Sequence, residues 1–224
     1  MEEVLVLRWL HIIAMVYWLG GEWGVFQSSY NVTNAALSLD ERRRHMETAY
    51  RIDVLARTGI IMLLPLGLHM GNIYGLQPYG GHYLTIMWVA VAAWMALCWG
   101  AFFKRESELG LRLTRIDEAV RYVLIPAIFV VGISSLMGHG PLIADEGVRW
   151  YAWKFTLYGF TLCIGLGLRW IMRAWTMRFR QLAEGPNPAA EAALEREIGW
   201  GRMMAYVYWV TIAGICYLGT VKPV

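Results

Sequence analysis

Residues 8–26 read RWLHIIAMVYWLGGEWGVF, from Arg8 to Phe26. The stretch is long and apolar enough to sit in lipid. Yet it carries an imidazole at His11 and a carboxylate at Glu22. Ionisable groups inside a bilayer are costly, so they mark a function by default. The fold follows from the apolar residues here, and the search for a site begins with the polar ones.

The rest of the chain is of the same kind. It has 224 residues, is 58% hydrophobic and contains 12 Trp, which excludes an ordinary soluble domain. A span needs roughly 20 apolar residues to cross about 30 Å of hydrocarbon. Six stretches qualify: 4–27, 54–76, 83–103, 120–138, 151–175 and 201–221. Only helices fit, because each backbone group in lipid must be satisfied within its own segment. The expectation is one all-α transmembrane domain over 1–224, a six-helix bundle. The acidic start Met1-Glu2-Glu3 and the lack of a small-residue cleavage site argue against a cleavable signal. Cys98, Cys163 and Cys216 are isolated within spans and read as packing residues.

Charge distribution orients the bundle. Let the first face be the one holding the N-terminus; six spans return the C-terminus to it. The loops of the second face then hold Arg42, Arg43, Arg44 and Arg51, Lys104, Arg105, Arg112, Arg115 and Arg121, and Arg173, Arg178, Arg180, Arg196 and Arg202. The first face holds only Arg8, Arg149, Lys154 and Lys222. Basic loops stay inside. Both termini are therefore expected outside, in the periplasm if the protein sits in a bacterial inner membrane. Lipid is the expected surroundings; no nucleic-acid partner is.

Two segments resemble one another. RIDVLARTGIIMLLPLGLHMG starts at Arg51, and RIDEAVRYVLIPAIFVVGISSLMG starts at Arg115. Each has a second arginine six residues on (Arg57, Arg121) and a mid-span proline (Pro65, Pro126). Spans 2–3 and 4–5 are accordingly expected to repeat one helical hairpin. The stretch 183–199 reads as a loop, with Asn187-Pro188 starting a short surface helix.

The histidines cluster by depth. His11 lies about seven residues into span 1, and His69 about seven residues before span 2 ends, so both sit roughly 10 Å below the first face. His82 and His139 lie at that same face, and Lys154 enters span 5 from it. Two imidazoles at matched depth on adjacent antiparallel helices suit a bis-histidine haem. In that arrangement Arg8 and Arg149 would pair with propionates, Met15 and Trp18 would line the ring, and Gly20-Gly21 would admit a close helix or a flat ring. His139 is a further candidate ligand, so one or two b-type haems are expected. Glu22 shares the His11 face and belongs either to a proton path or to the opposite interface.

A rival chemistry uses the same region. Imidazole with methionine thioether suits copper(I), and Met15, Met70 and Met137 lie near His11, His69 and His139 in sequence. A copper-handling transporter predicts a His/Met track across the membrane, whereas the groups cluster on one side. A third possibility is a membrane anchor that binds no cofactor.

The sequence LRWLHIIAMVYWLGG resembles the first span of CopD-like and HemJ-like membrane proteins. ERRRHMETAYRI resembles the loop and second span of the HemJ, protoporphyrinogen oxidase type, and WYAWKFTLYG resembles its Trp-x-x-x-Lys. The resemblance implies a b-type haem, with His11 and Lys154 as the functional residues. Here a whole hairpin separates span 2 from that lysine, so the wider haem-binding group, rather than one activity, is the expectation. The resulting picture is an oxidoreductase or an electron-transfer subunit of one. A quinol or porphyrinogen-like donor would feed it. A periplasmic partner such as a c-type cytochrome, a second copy or a larger complex would complete it.

Overall fold

The computed structural model describes residues 2–105 and 107–223. It is all-α, with six helices and no strand among the described residues. These are α1 (Glu2–Val32), α2 (Leu39–Ile73), α3 (His82–Phe103), α4 (Glu108–Leu136), α5 (Arg149–Ala183) and α6 (Pro188–Val221). Each is long and apolar enough to cross a membrane. Neighbours in sequence pack side by side, α6 returns to α1, and α2 touches α5 across the middle. These two are the inner helices: half of the apolar stretch of each is buried, against 22–28% for the others. The outward faces of the outer helices are the lipid-exposed ones, as at Val16, Ile86, Val123 and Val210.

Close approach between α1 and α2 rests on small residues, as in many membrane helix pairs. A Cβ at Gly59 would run into the Ala14 carbonyl and the Trp18 backbone nitrogen. A Cβ at Gly21 would lie 2.7 Å from that of Ala56. Gly21 thus admits a neighbouring helix, one of the two roles expected of it. Similar steps join α4 to α5, where Gly132 lies against Thr156 and Gly159 against Ile128.

Most helices run beyond their apolar windows. α1, α2, α5 and α6 have 31, 35, 35 and 34 residues, and about 35 residues span roughly 52 Å. All four protrude at the arginine-rich end. They share a separate core there, in which Val32, Trp175, Leu194 and Ile198 are almost wholly buried. Capping starts the helices in this watery zone. Ser38 and Glu41 form a reciprocal capping box. Asn187 Oδ1 accepts from Ala190 N at 3.0 Å, with Pro188 in the first turn. The short surface helix expected after Pro188 is therefore not separate: it runs unbroken into the sixth span. Arg42 ties this stub together, donating through both Nη atoms to Glu191 at 2.7 Å and through Nε to the Val32 carbonyl at 2.9 Å.

Candidate functional site

Two polar regions lie inside the bundle, about three turns apart along α1. The first surrounds His11. Its ring rests against Gly67 of α2: a Cβ there would lie 3.6 Å from His11 Cε1. His11 Nδ1 is buried with no hydrogen-bond partner among the described residues. From α5, Lys154 reaches into the same region and lies over α6, where a Cβ at Gly219 would be 2.7 Å from its Nζ. Tyr151, one turn earlier on α5, lies across Gly71 and donates to the Gly67 carbonyl at 3.4 Å. Met15, one turn below His11, has its Sδ 3.8 Å from Cys216 Sγ. The helix pairing thus brings His11, Met15, Lys154 and Cys216 into one region from three helices.

The other residues singled out in the sequence take up separate positions. His69 has both nitrogens engaged: Trp88 Nε1 donates to Nδ1 at 3.3 Å, and Nε2 lies 3.3 Å from Glu3 Oε1. That pattern fits a neutral ring carrying its proton on Nε2. Arg8 is exposed and donates to Tyr74 Oη at 3.2 Å. Arg149, also exposed, donates to the Leu136 carbonyl at 3.4 Å. His82 and His139 are exposed at the same end of the bundle. Trp18 is fully buried, and its Nε1 donates to Tyr208 Oη at 2.9 Å. The Trp18–Tyr208 pair closes the bundle below the His11 region.

Beneath that pair lies the second region, a network of intramembrane charges. Asp53 and Arg57 pair one turn apart on α2. On α4, Asp117 takes Arg121 Nε at 3.3 Å, Trp94 Nε1 at 2.7 Å, and Arg169 from α5. Glu118 pairs with Arg173 of α5. The two Arg-Ile-Asp motifs therefore do the same local work, each placing an Asp and an Arg at i and i+4 on a helix that carries a proline. Arg121, assigned to a loop by charge counting, is 3% exposed and sits inside the bundle.

A cavity of about 70 Å³ opens beside this network. It is lined by Glu22, Asp53, Arg57, Arg121, Arg169 and Arg202, with Tyr208 at its inner end. Glu22 thus faces carboxylate and guanidinium neighbours. Arg202 stands on the α6 wall, donating to Ser29 Oγ at 3.0 Å, the Ser29 carbonyl at 2.8 Å and Thr33 Oγ1 at 3.0 Å. The i, i+4 spacing of Asp and Arg within each motif was the sequence signal for this network. The third partner, Arg169, carries no local signal, because its role arises only when α5 packs against α4.

Among the described residues no group of three or more His, Cys, Asp or Glu is placed to hold a metal ion. The thioether of Met15, which meets Cys216, lies outside that donor set. The chain matches no protein-family model, no curated protein and no solved structure.

Proposed function

We propose that this chain is a membrane-embedded b-type haem protein, acting as an oxidoreductase or as an electron-transfer subunit of one. The observation that carries the reading is the convergence of His11 and Lys154. They lie on different helices, far apart in sequence. They are also the two residues that the CopD-like and HemJ-like resemblance marks as functional. A buried imidazole nitrogen without a partner costs free energy, and ligation to iron would remove that cost. Bare backbone at Gly67 and Gly219 keeps the walls beside His11 and Lys154 low.

Bound haem would supply one-electron chemistry. His11 would hold the iron. Lys154 would offer an ammonium to a propionate or to an anionic substrate. As it stands His69 fits less well as a ligand, because holding the iron would displace either its Trp88 or its Glu3 contact. In this reading the haem lies toward the face holding the termini, the periplasmic one if basic loops stay inside, and a quinol or porphyrinogen-like donor reaches it from the membrane.

The test is a reduced-minus-oxidised optical spectrum of the purified protein, with His11→Ala, His69→Ala and Lys154→Met alongside. Sharp b-type bands lost in His11→Ala support the reading, and retention in His69→Ala makes His11 the principal ligand. A featureless spectrum from cells supplied with haem overturns it.

One observation favours a second reading. Met15 and Cys216 meet one turn from His11, which supplies thioether, thiol and imidazole, a donor set suited to copper(I). Copper retained by protein that lacks porphyrin, and lost in Cys216→Ser, would replace the haem reading with this one.

A further inference from the structure

The cavity at the arginine-rich end is lined by more guanidiniums than carboxylates. Four guanidiniums, from Arg57, Arg121, Arg169 and Arg202, line it against two carboxylates, from Glu22 and Asp53; Asp117 pairs with Arg121 and Arg169 from outside the lining, and Glu195 lies near Arg202. Asp117 alone serves both Arg121 and Arg169. Arg202 gives its hydrogen bonds to neutral oxygens. Arg121 Nη2 is buried without a partner among the described residues, on a side chain only 4% exposed that lines the cavity. A buried donor on a charged group is costly when it has no acceptor, so the bare Arg121 Nη2 on a guanidinium-rich wall is a standing demand for an anion.

Geometry narrows the kind of anion. Arg57, Arg121 and Arg169 come from α2, α4 and α5, so their planar forks approach the cavity from three directions. A group with several oxygens in a tetrahedral arrangement meets such forks better than a planar carboxylate, which one fork satisfies. The space of about 70 Å³ admits a group of that size and nothing as large as a porphyrin. On the lipid side, the α1–α6 seam is lined by aromatic rings. Trp23 and Phe26 pack on Trp209 with ring centroids 4.8 Å apart, and Phe26 also borders the cavity. Trp23 and Tyr206 are exposed there, at 52% and 55%.

We propose that this cavity is a phosphate-type oxyanion site, filled by inorganic phosphate or by the phosphodiester of an anionic lipid headgroup entering at the α1–α6 seam. Arg121 and Arg169 bind the oxyanion from the inner wall, and Arg202 draws it in at α6. The site is separate from the His11 region, being cut off from it by Trp18 and Tyr208, and it stands whether or not haem is bound.

The test measures thermal unfolding of the full chain under two additions. In phosphate-free detergent solution, inorganic phosphate is titrated against chloride at constant ionic strength. In parallel, nanodiscs of phosphatidylglycerol are compared with nanodiscs of phosphatidylcholine, and native mass spectrometry reads any retained lipid. Stabilisation by phosphate assigns a free anion; stabilisation and retention only with phosphatidylglycerol assign a headgroup. Arg121→Gln should weaken either effect at least about tenfold, as loss of a charge-assisted hydrogen bond implies. Arg202→Gln removes no ion pair seen in the structure, so it should fold and still show a weakened response. Absence of both stabilisations in the native chain overturns the proposal. A full response retained in Arg202→Gln, and in Arg121→Gln where that variant folds, overturns it equally.

Discussion

At its His11 end the bundle holds ionisable groups that are few and lightly partnered: one imidazole with a bare nitrogen, one lysine over a glycine. At its Glu22 end it holds many, and nearly all are paired. Both ends of α1 face the same problem of polarity in an apolar solvent, and they meet it in opposite ways. The lower network is held largely by pairing, and its interhelix bonds join α4 to α5 and, through Trp94, to α3. Replacing one partner there strands another charge. At the His11 end the His11 Nδ1 has no such partner among the described residues, which is the shortfall that the proposed ligand would fill. Pairing marks structure; a shortfall in pairing marks the places to look for a ligand, and among the described residues the lower cavity shows it at Arg121 Nη2 and Trp175 Nε1.

The contrast is sharpest at Asp117. Asp117→Ala leaves both Arg121 and Arg169 buried and uncompensated. It should destabilise the protein by about 3–5 kcal/mol, read as a fall in the thermal midpoint in detergent. His11→Ala should abolish any haem spectrum while changing that midpoint little, and equal loss of stability in the two variants would break the comparison. Next in size is Gly59→Val, whose side chain meets the Ala14 carbonyl and the Trp18 backbone. Overpacking of this kind costs about 1–3 kcal/mol, and by pushing α1 from α2 it should disturb both ends together. Trp18→Phe leaves Tyr208 Oη without its donor and should cost about 1–2 kcal/mol. A double-mutant cycle with Tyr208→Phe isolates that bond. Smallest is Glu191→Gln. Its carboxylate is 41% exposed, so losing the pair with Arg42 should cost under about 1 kcal/mol and leave both regions untouched.

How much of this was visible in the sequence varies with the physics. The six helices were legible because apolar windows of membrane length have few other fates. Their extensions were not, because the signals sit outside those windows, in Ser38, Asn187-Pro188 and a second core whose members lie on four helices. The depth argument brought His11 and His69 to one level. It could not tell that His69 turns toward Trp88, since depth fixes height and leaves azimuth open. Lys154 was placed at the histidines' face by its position and given a role by resemblance, and its approach to His11 depends on α5 and α6 packing beside α1. Cys216 passed as packing until Met15 was seen beside it. The Arg-Ile-Asp repeat was visible as similarity, but counting arginines as loop residues hid the ion pairs formed by Asp117 and Arg121.

The four-helix stub beyond the apolar windows carries a consequence of its own. It has a dry core, capped helix starts and a bidentate clasp between Arg42 and Glu191. Its backbone amides, although bathed by water at their outer faces, should exchange their hydrogens slowly through the α2 and α6 starts. A probe of solvent exchange would therefore draw the boundary of this protein's rigid body several turns outside the lipid, not at the lipid's edge.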